Sequence, residues 1–109
     1  MDISLTKDSE KLICVIYKSY LEKRKSGISK PKASHLGSSH EIHSNLLPQW
    51  SFEDVDDTCR ELSLAGLLNC LFADNIAYHV TISDDGIIYM ENRFKNGLKD
   101  IAAFLSNFI

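Results

Sequence analysis

The chain has 109 residues, 44% of them hydrophobic and 25% charged, a balance that fits a single globular domain and excludes intrinsic disorder as its character. The net charge of −3 argues against a general polyanion binder, but the charge is segregated: residues 1–43 hold eight bases against five acids, residues 44–91 hold Arg60 against nine acids, and residues 92–109 hold three bases against Asp100. Three cysteines, an odd number without C-x-x-C spacing, exclude a disulfide framework and point to a reducing, cytoplasmic setting; the N-terminus is polar, and no apolar run approaches the ~20 residues of a bilayer span.

In chain order, Thr6 is placed to cap a first helix, with Asp8 and Glu10 in its first turn. Leu12, Ile13, Ile16, Tyr17, Tyr20 and Leu21 recur at helical spacing and form its buried face. The helix closes in Glu22-Lys23-Arg24-Lys25 and stops at Ser26-Gly27. The stretch ISKPKASHLGSS, punctuated by Pro31 and Gly37, reads as an extended connection with a short edge strand at Ala33–Leu36. Ser38 and Glu41 form a capping-box pair that opens a second helix, His40 to Leu47, ended by Pro48. Ser51 caps a third helix whose buried stripe is Phe52, Val55, Cys59 and Leu62. By elimination Glu53, Asp54, Asp56, Asp57, Arg60 and Glu61 face outward, and Gly66 ends the helix.

Two strands follow, LLNCLFA and IAYHVTI, joined by Asp74-Asn75, a pair that tolerates the positive φ of a two-residue hairpin turn. In the second strand Tyr78, Val80 and Ile82 alternate with Ala77, His79 and Thr81, as in a half-buried antiparallel strand. Ser83 starts a C-terminal helical region, 84–109, in which Ile87, Met90, Phe94, Leu98, Ile101, Leu105 and Phe108 step by three or four. From Phe94 this nears a heptad seam, with Gly97 as a point of bending. A three-helix core of this size leaves such a stripe uncovered, so Phe94, Leu98, Ile101, Leu105 and Phe108 are expected to form a homodimer contact. The ending FLSNFI, abrupt and apolar, suggests that more chain follows.

The two joins carry a family likeness. Arg60-Glu61-Leu62-Ser63-Leu64-Ala65-Gly66-Leu67-Leu68 is a leucine–polar–glycine–aliphatic step from helix to strand, and Val80-Thr81-Ile82-Ser83-Asp84-Asp85-Gly86-Ile87-Ile88-Tyr89-Met90-Glu91 returns from strand to helix. On these the chain resembles the winged helix-turn-helix superfamily, and most of all small bacterial and phage winged-helix proteins of the YjcQ type. The resemblance covers most of the chain and is strongest over 52–94. It implies an α+β fold of three helices and a short β-hairpin wing with a C-terminal helical extension. It also implies a single winged-helix domain over 1–109, a third helix in the major groove of double-stranded DNA, a wing beside the phosphates, and a dimer on two half-sites.

The residues set that use of the third helix aside. Bases and phosphates are met by Arg, Lys, Asn and Gln, whereas this face carries Arg60 among five carboxylates. A carboxylate ~5 Å from a phosphate is repelled by on the order of 1 kcal/mol before screening. The only basic cluster is Lys23, Arg24, Lys25, Lys30 and Lys32, with His35, His40 and His43 nearby. Five phosphate contacts from it correspond to a log–log salt slope of roughly −4.5.

His40 and His43, three apart, miss the spacing of four in the H-E-x-x-H zinc motif, and no other ligand has standard spacing. No glycine-rich phosphate loop and no nucleophile–base pair occurs; Asp56 and Asp57, adjacent on a helix, point in different directions. Trp50 reads as a staple at the entry to the third helix. The sequence thus calls for no enzyme activity, cofactor, metal or small-molecule effector. It predicts a DNA-binding, transcriptional-regulator-like protein, with a protein-interaction module docking a basic partner on Glu53, Asp54, Asp56, Asp57, Arg60 and Glu61 as the alternative.

Overall fold

The structure is a computed structural model that describes residues 3–108. Within them the chain is α+β, with six helices and one three-stranded antiparallel sheet. Helix α1 (Lys7–Lys25) begins where the Thr6 hydroxyl accepts from the Ser9 amide and ends in Lys23, Arg24 and Lys25, so charge suits the dipole at both ends. Leu12, Ile13, Ile16 and Tyr17 are buried, and α1 packs against α4 and α6.

The expected extended connection is instead a short helix, α2 (Lys30–Ser34). Pro31 lies in its first turn, where its fixed φ suits a helix and its missing N–H goes unused. Ala33 donates to the Ser29 carbonyl at 2.8 Å, and the Ser34 hydroxyl to the Lys30 carbonyl at 2.7 Å. The edge strand is therefore displaced to β1 (His35–Gly37). Helix α3 (Ser39–Leu46) carries the full Ser38–Glu41 capping box, and α4 (Phe52–Leu64) is capped by Ser51.

Strands β2 (Leu68–Ala73) and β3 (Ile76–Ile82) turn at Asp74 and Asn75, both with positive φ, 53° and 64°. The sheet order is β1-β3-β2. Strand β3 departs from the regular alternation read in its sequence. Leu71 pairs with His79 but Phe72 with Ala77, so Tyr78 is an extra residue in a bulge. Ala77, Val80 and Ile82 are buried, while Tyr78 and His79, neighbours in sequence, are both exposed.

The C-terminal region is two helices rather than one seam: α5 (Asp84–Arg93), capped by Ser83, and α6 (Leu98–Ser106). They are separated at Gly97, whose φ of 61° a side chain would resist. Phe94 and Ile101 are buried in the core of the same chain, with Leu98, Phe104 and Leu105 packed on it. Arg93 ties α6 down by pairing with Glu10 of α1 and lying over the rings of Phe94 and Phe104 at 5.0 and 4.8 Å. Of the stripe expected to meet a second copy, Phe94 and Ile101 are buried within the chain, and Leu98, Leu105 and Phe108 are half-buried, with α6 packed on α1. No helix among the described residues is long and apolar enough to cross a membrane.

Candidate nucleic-acid interface

The outward face of α4 is less acidic than its sequence suggested. Asp56 is buried at 6% exposure; its Oδ1 accepts from the Ser39 hydroxyl and the Ala77 amide, each at 2.8 Å. It binds α3 to α4 and β3, and its place on a solvent face is corrected accordingly. Arg60 turns inward along α4, donating to Asp56 at 3.3 Å and to the Asn75 carbonyl, with its guanidinium 4.5 Å from the Phe72 ring centroid. The one cation of the helix is spent on the β2–β3 hairpin. Glu61 accepts from the Ser9 hydroxyl at 2.9 Å and so holds the start of α1. Of the six residues grouped on this face, Glu53, Asp54 and Asp57 remain exposed and engage no other element through a side-chain hydrogen bond or ion pair among the described residues. A helix of this kind offers DNA no donor and repels its phosphates.

The basic cluster divides as well. Lys30 pairs with Asp84 at the start of α5, at 3.1 Å, and this contact raises the Lys30 pKa. Lys23 donates to the His35 carbonyl at 3.4 Å, and Arg24 to the Ile28 carbonyl at 3.1 Å, contacts that orient both side chains at the surface. Lys25 and Lys32 are exposed. The α1 terminus and α2 thus present Lys23, Arg24, Lys25 and Lys32 as one cationic end, with Lys30 partly neutralised.

This end borders a surface that the sequence did not disclose. Pro31 and Lys32 of α2 line a shallow hollow with His35, His79 and Thr81. A second groove, sharing Pro31 and Thr81, runs over Asn69 to the start of α5 at Ser83 and Asp84. The His35 and His79 rings lie 4.3 Å apart at 44°, and Tyr78 meets His79 edge-on at 6.3 Å. The signal in the sequence was the pair Tyr78-His79, but only the bulge puts both on one side.

The chain matches no protein-family model, no curated protein and no solved structure.

The remaining candidates have structural partners. His40 stacks on Phe52 at 3.9 Å, and His43 Nε2 lies 2.7 Å from the Trp50 carbonyl, so both order the entry to α4. Trp50 packs on the core. No group of three or more His, Cys, Asp or Glu among the described residues is placed to hold a metal ion. Cys14 and Cys59 are fully buried, and burial pushes both thiols up to about 12.

Proposed function

We propose that this chain is a winged-helix-like, non-enzymatic module that binds nucleic acid through the basic end formed by α1 and α2 and not through α4. The element order α1, α2, β1, α3, α4, β2, β3 and the sheet order β1-β3-β2 are compatible with a winged-helix-like fold; the likeness to YjcQ-type proteins rests on the two sequence joins. The observation that carries the choice of surface is the fate of Arg60. Its guanidinium is committed to Asp56, Asn75 and Phe72, which leaves α4 without a free cation, whereas Arg24 and Lys25 at the end of α1 and Lys32 in α2 stand exposed. Four phosphate contacts from Lys23, Arg24, Lys25 and Lys32 correspond to a salt slope of roughly −3.6 on a duplex and −2.8 on a single strand.

The test is the fluorescence anisotropy of labelled oligonucleotides at low salt. Reversing Arg24, Lys25 and Lys32 to Glu abolishes binding on this reading, and reversing Glu53, Asp54 and Asp57 to Lys leaves or strengthens it. Binding that survives the first change removes the proposed surface.

A second reading rests on a separate observation. Leu64, two turns after Asp57 on α4, is 90% exposed, and together with Glu53 and Asp57 it forms an acidic stripe with an apolar end. Such a stripe suits a basic, amphipathic partner. A partner captured by the wild type and lost with Asp57→Lys and Leu64→Ser would support it; a partner indifferent to both changes would oppose it.

A further inference from the structure

We propose that the outward face of the sheet is a stacking platform for unpaired bases, so that the nucleic acid bound beside the basic end is single-stranded. This rests on the nucleic-acid reading above and names the strand form it takes. The first observation is the bulge in β3. On a regular strand Tyr78 and His79 point to opposite faces. The extra residue at the Leu71/Phe72 step turns both toward solvent, and with His35 of β1 they make a run of three exposed rings. Tyr78 is 48% exposed, and burial in the core does not account for its place.

The second observation is charge. The hollow that holds His35 and His79 is completed by Pro31, Lys32 and Thr81, a lining with one cation and no carboxylate. Lys32 lines the hollow itself, and Lys23 donates to the His35 carbonyl at its margin, so a phosphate running past His35 and His79 meets Lys32 first. Thr81 and Asn69, farther along the same face, offer a hydroxyl and an amide to base edges or sugars, while Asp84 and Asp85 at the far end of that groove keep the phosphates toward Lys32.

The chemistry separates the two strand forms. In a duplex the faces of the bases are covered by their neighbours, and reading it requires an element that enters a groove. Here α4 is acidic, and the hairpin tip is Asp74-Asn75. An unpaired base has two free faces, and exposed aromatic rings flanked by cations bind it with little regard to sequence.

The experiment compares a short labelled oligothymidylate and oligouridylate with a duplex of equal length, using wild type, Tyr78→Leu, His79→Leu and Tyr78→Phe. Single strands are expected to bind about tenfold more tightly than duplex. Each leucine substitution is expected to weaken single-strand binding by about 5-fold to about 150-fold, the range for loss of one stacked base. Tyr78→Phe, which keeps the ring, stays close to wild type. Circular dichroism confirms that these exposed substitutions leave the fold intact. Duplex bound as tightly as single strands, or leucine variants that bind like wild type, overturns the stacking platform and leaves the basic-end reading standing. No binding of either form by wild type overturns both.

Discussion

Replacing Asp56 by Ala is expected to cost more stability than removing any other carboxylate of α4. The carboxylate is 6% exposed and accepts from the Ser39 hydroxyl and the Ala77 amide at 2.8 Å each. Both donor residues are themselves buried at 0% exposure, so water does not replace the lost acceptor. Arg60 is partly exposed and keeps its contacts to Asn75 and Phe72 in the variant, with water meeting the freed N–H, so its pair with Asp56 adds little. Hydrogen bonds to a charged group are worth about 1.5–3 kcal/mol each, which puts the loss at about 3–6 kcal/mol. That is a large share of the 5–15 kcal/mol typical of a domain and lowers Tm by at least roughly 12 °C. Asp56→Asn keeps an acceptor oxygen for Ser39 and Ala77 but loses the charge and the second oxygen that accepts from Arg60, so it costs about 1–3 kcal/mol. Urea unfolding followed by circular dichroism measures both. Asp56→Ala within about 1 kcal/mol of wild type would mean that Ser39 and Ala77 find other partners and that the buried carboxylate does not hold α3 and β3 to α4.

Two further substitutions and two measurements on the unchanged protein probe the fold. Gly86→Ala places a Cβ 2.2 Å from the Leu67 carbonyl oxygen, a backbone atom that cannot step aside, so the ~1 kcal/mol helix gain of alanine is outweighed by overpacking and the net loss is about 2 kcal/mol by urea unfolding. Ile101→Ala, at a position fully buried beneath α6, costs about 2–5 kcal/mol in the same assay, and a cost below about 1 kcal/mol would show that α6 is not docked. Cys14 and Cys59 stay unreactive to a thiol reagent in the folded protein and all three cysteines react in denaturant, while partly exposed Cys70 reacts first. The same burial raises the folded thiols from 9.0 to about 12 and, with smaller contributions from Glu91 and Tyr20, the Tyr17 hydroxyl from 10.0 to about 12. The folded state therefore holds protons that the unfolded chain gives up first. Stability is full below about pH 9 and falls as pH rises toward about 12, which thermal melts across that range will register.

Local chemistry made much of the fold legible. Thr6, Ser38, Ser51 and Ser83 each cap a helix because a short hydroxyl side chain reaches the free amides of a first turn, a rule confined to four residues. The Asp74-Asn75 turn was legible for the same reason, through the two residues' tolerance of positive φ. What remained hidden depends on partners far away in the chain. Asp56 lies beside Val55 at the margin of the apolar stripe, and its partners Ser39 and Ala77 are 17 and 21 residues away. Periodicity assigns such a margin residue to solvent; only the packing of α3 and β3 closes over it. The bulge at Tyr78 was hidden because alternation carries no sign of one added residue, so the aromatic run could not be assembled from sequence. The C-terminal stripe was legible as apolar, but the surface that covers it was not, since α1 has apolar positions to spare for both α4 and α6.

The proposed function turns on where a nucleic acid touches the protein. Amide chemical shifts recorded while a short oligothymidylate is titrated into isotope-labelled protein at low salt locate that contact. The shifts are expected to gather in residues 23–36 and 78–81, with α4 silent. Shifts centred on Glu53–Glu61 of α4, or none at all, would contradict the proposed function.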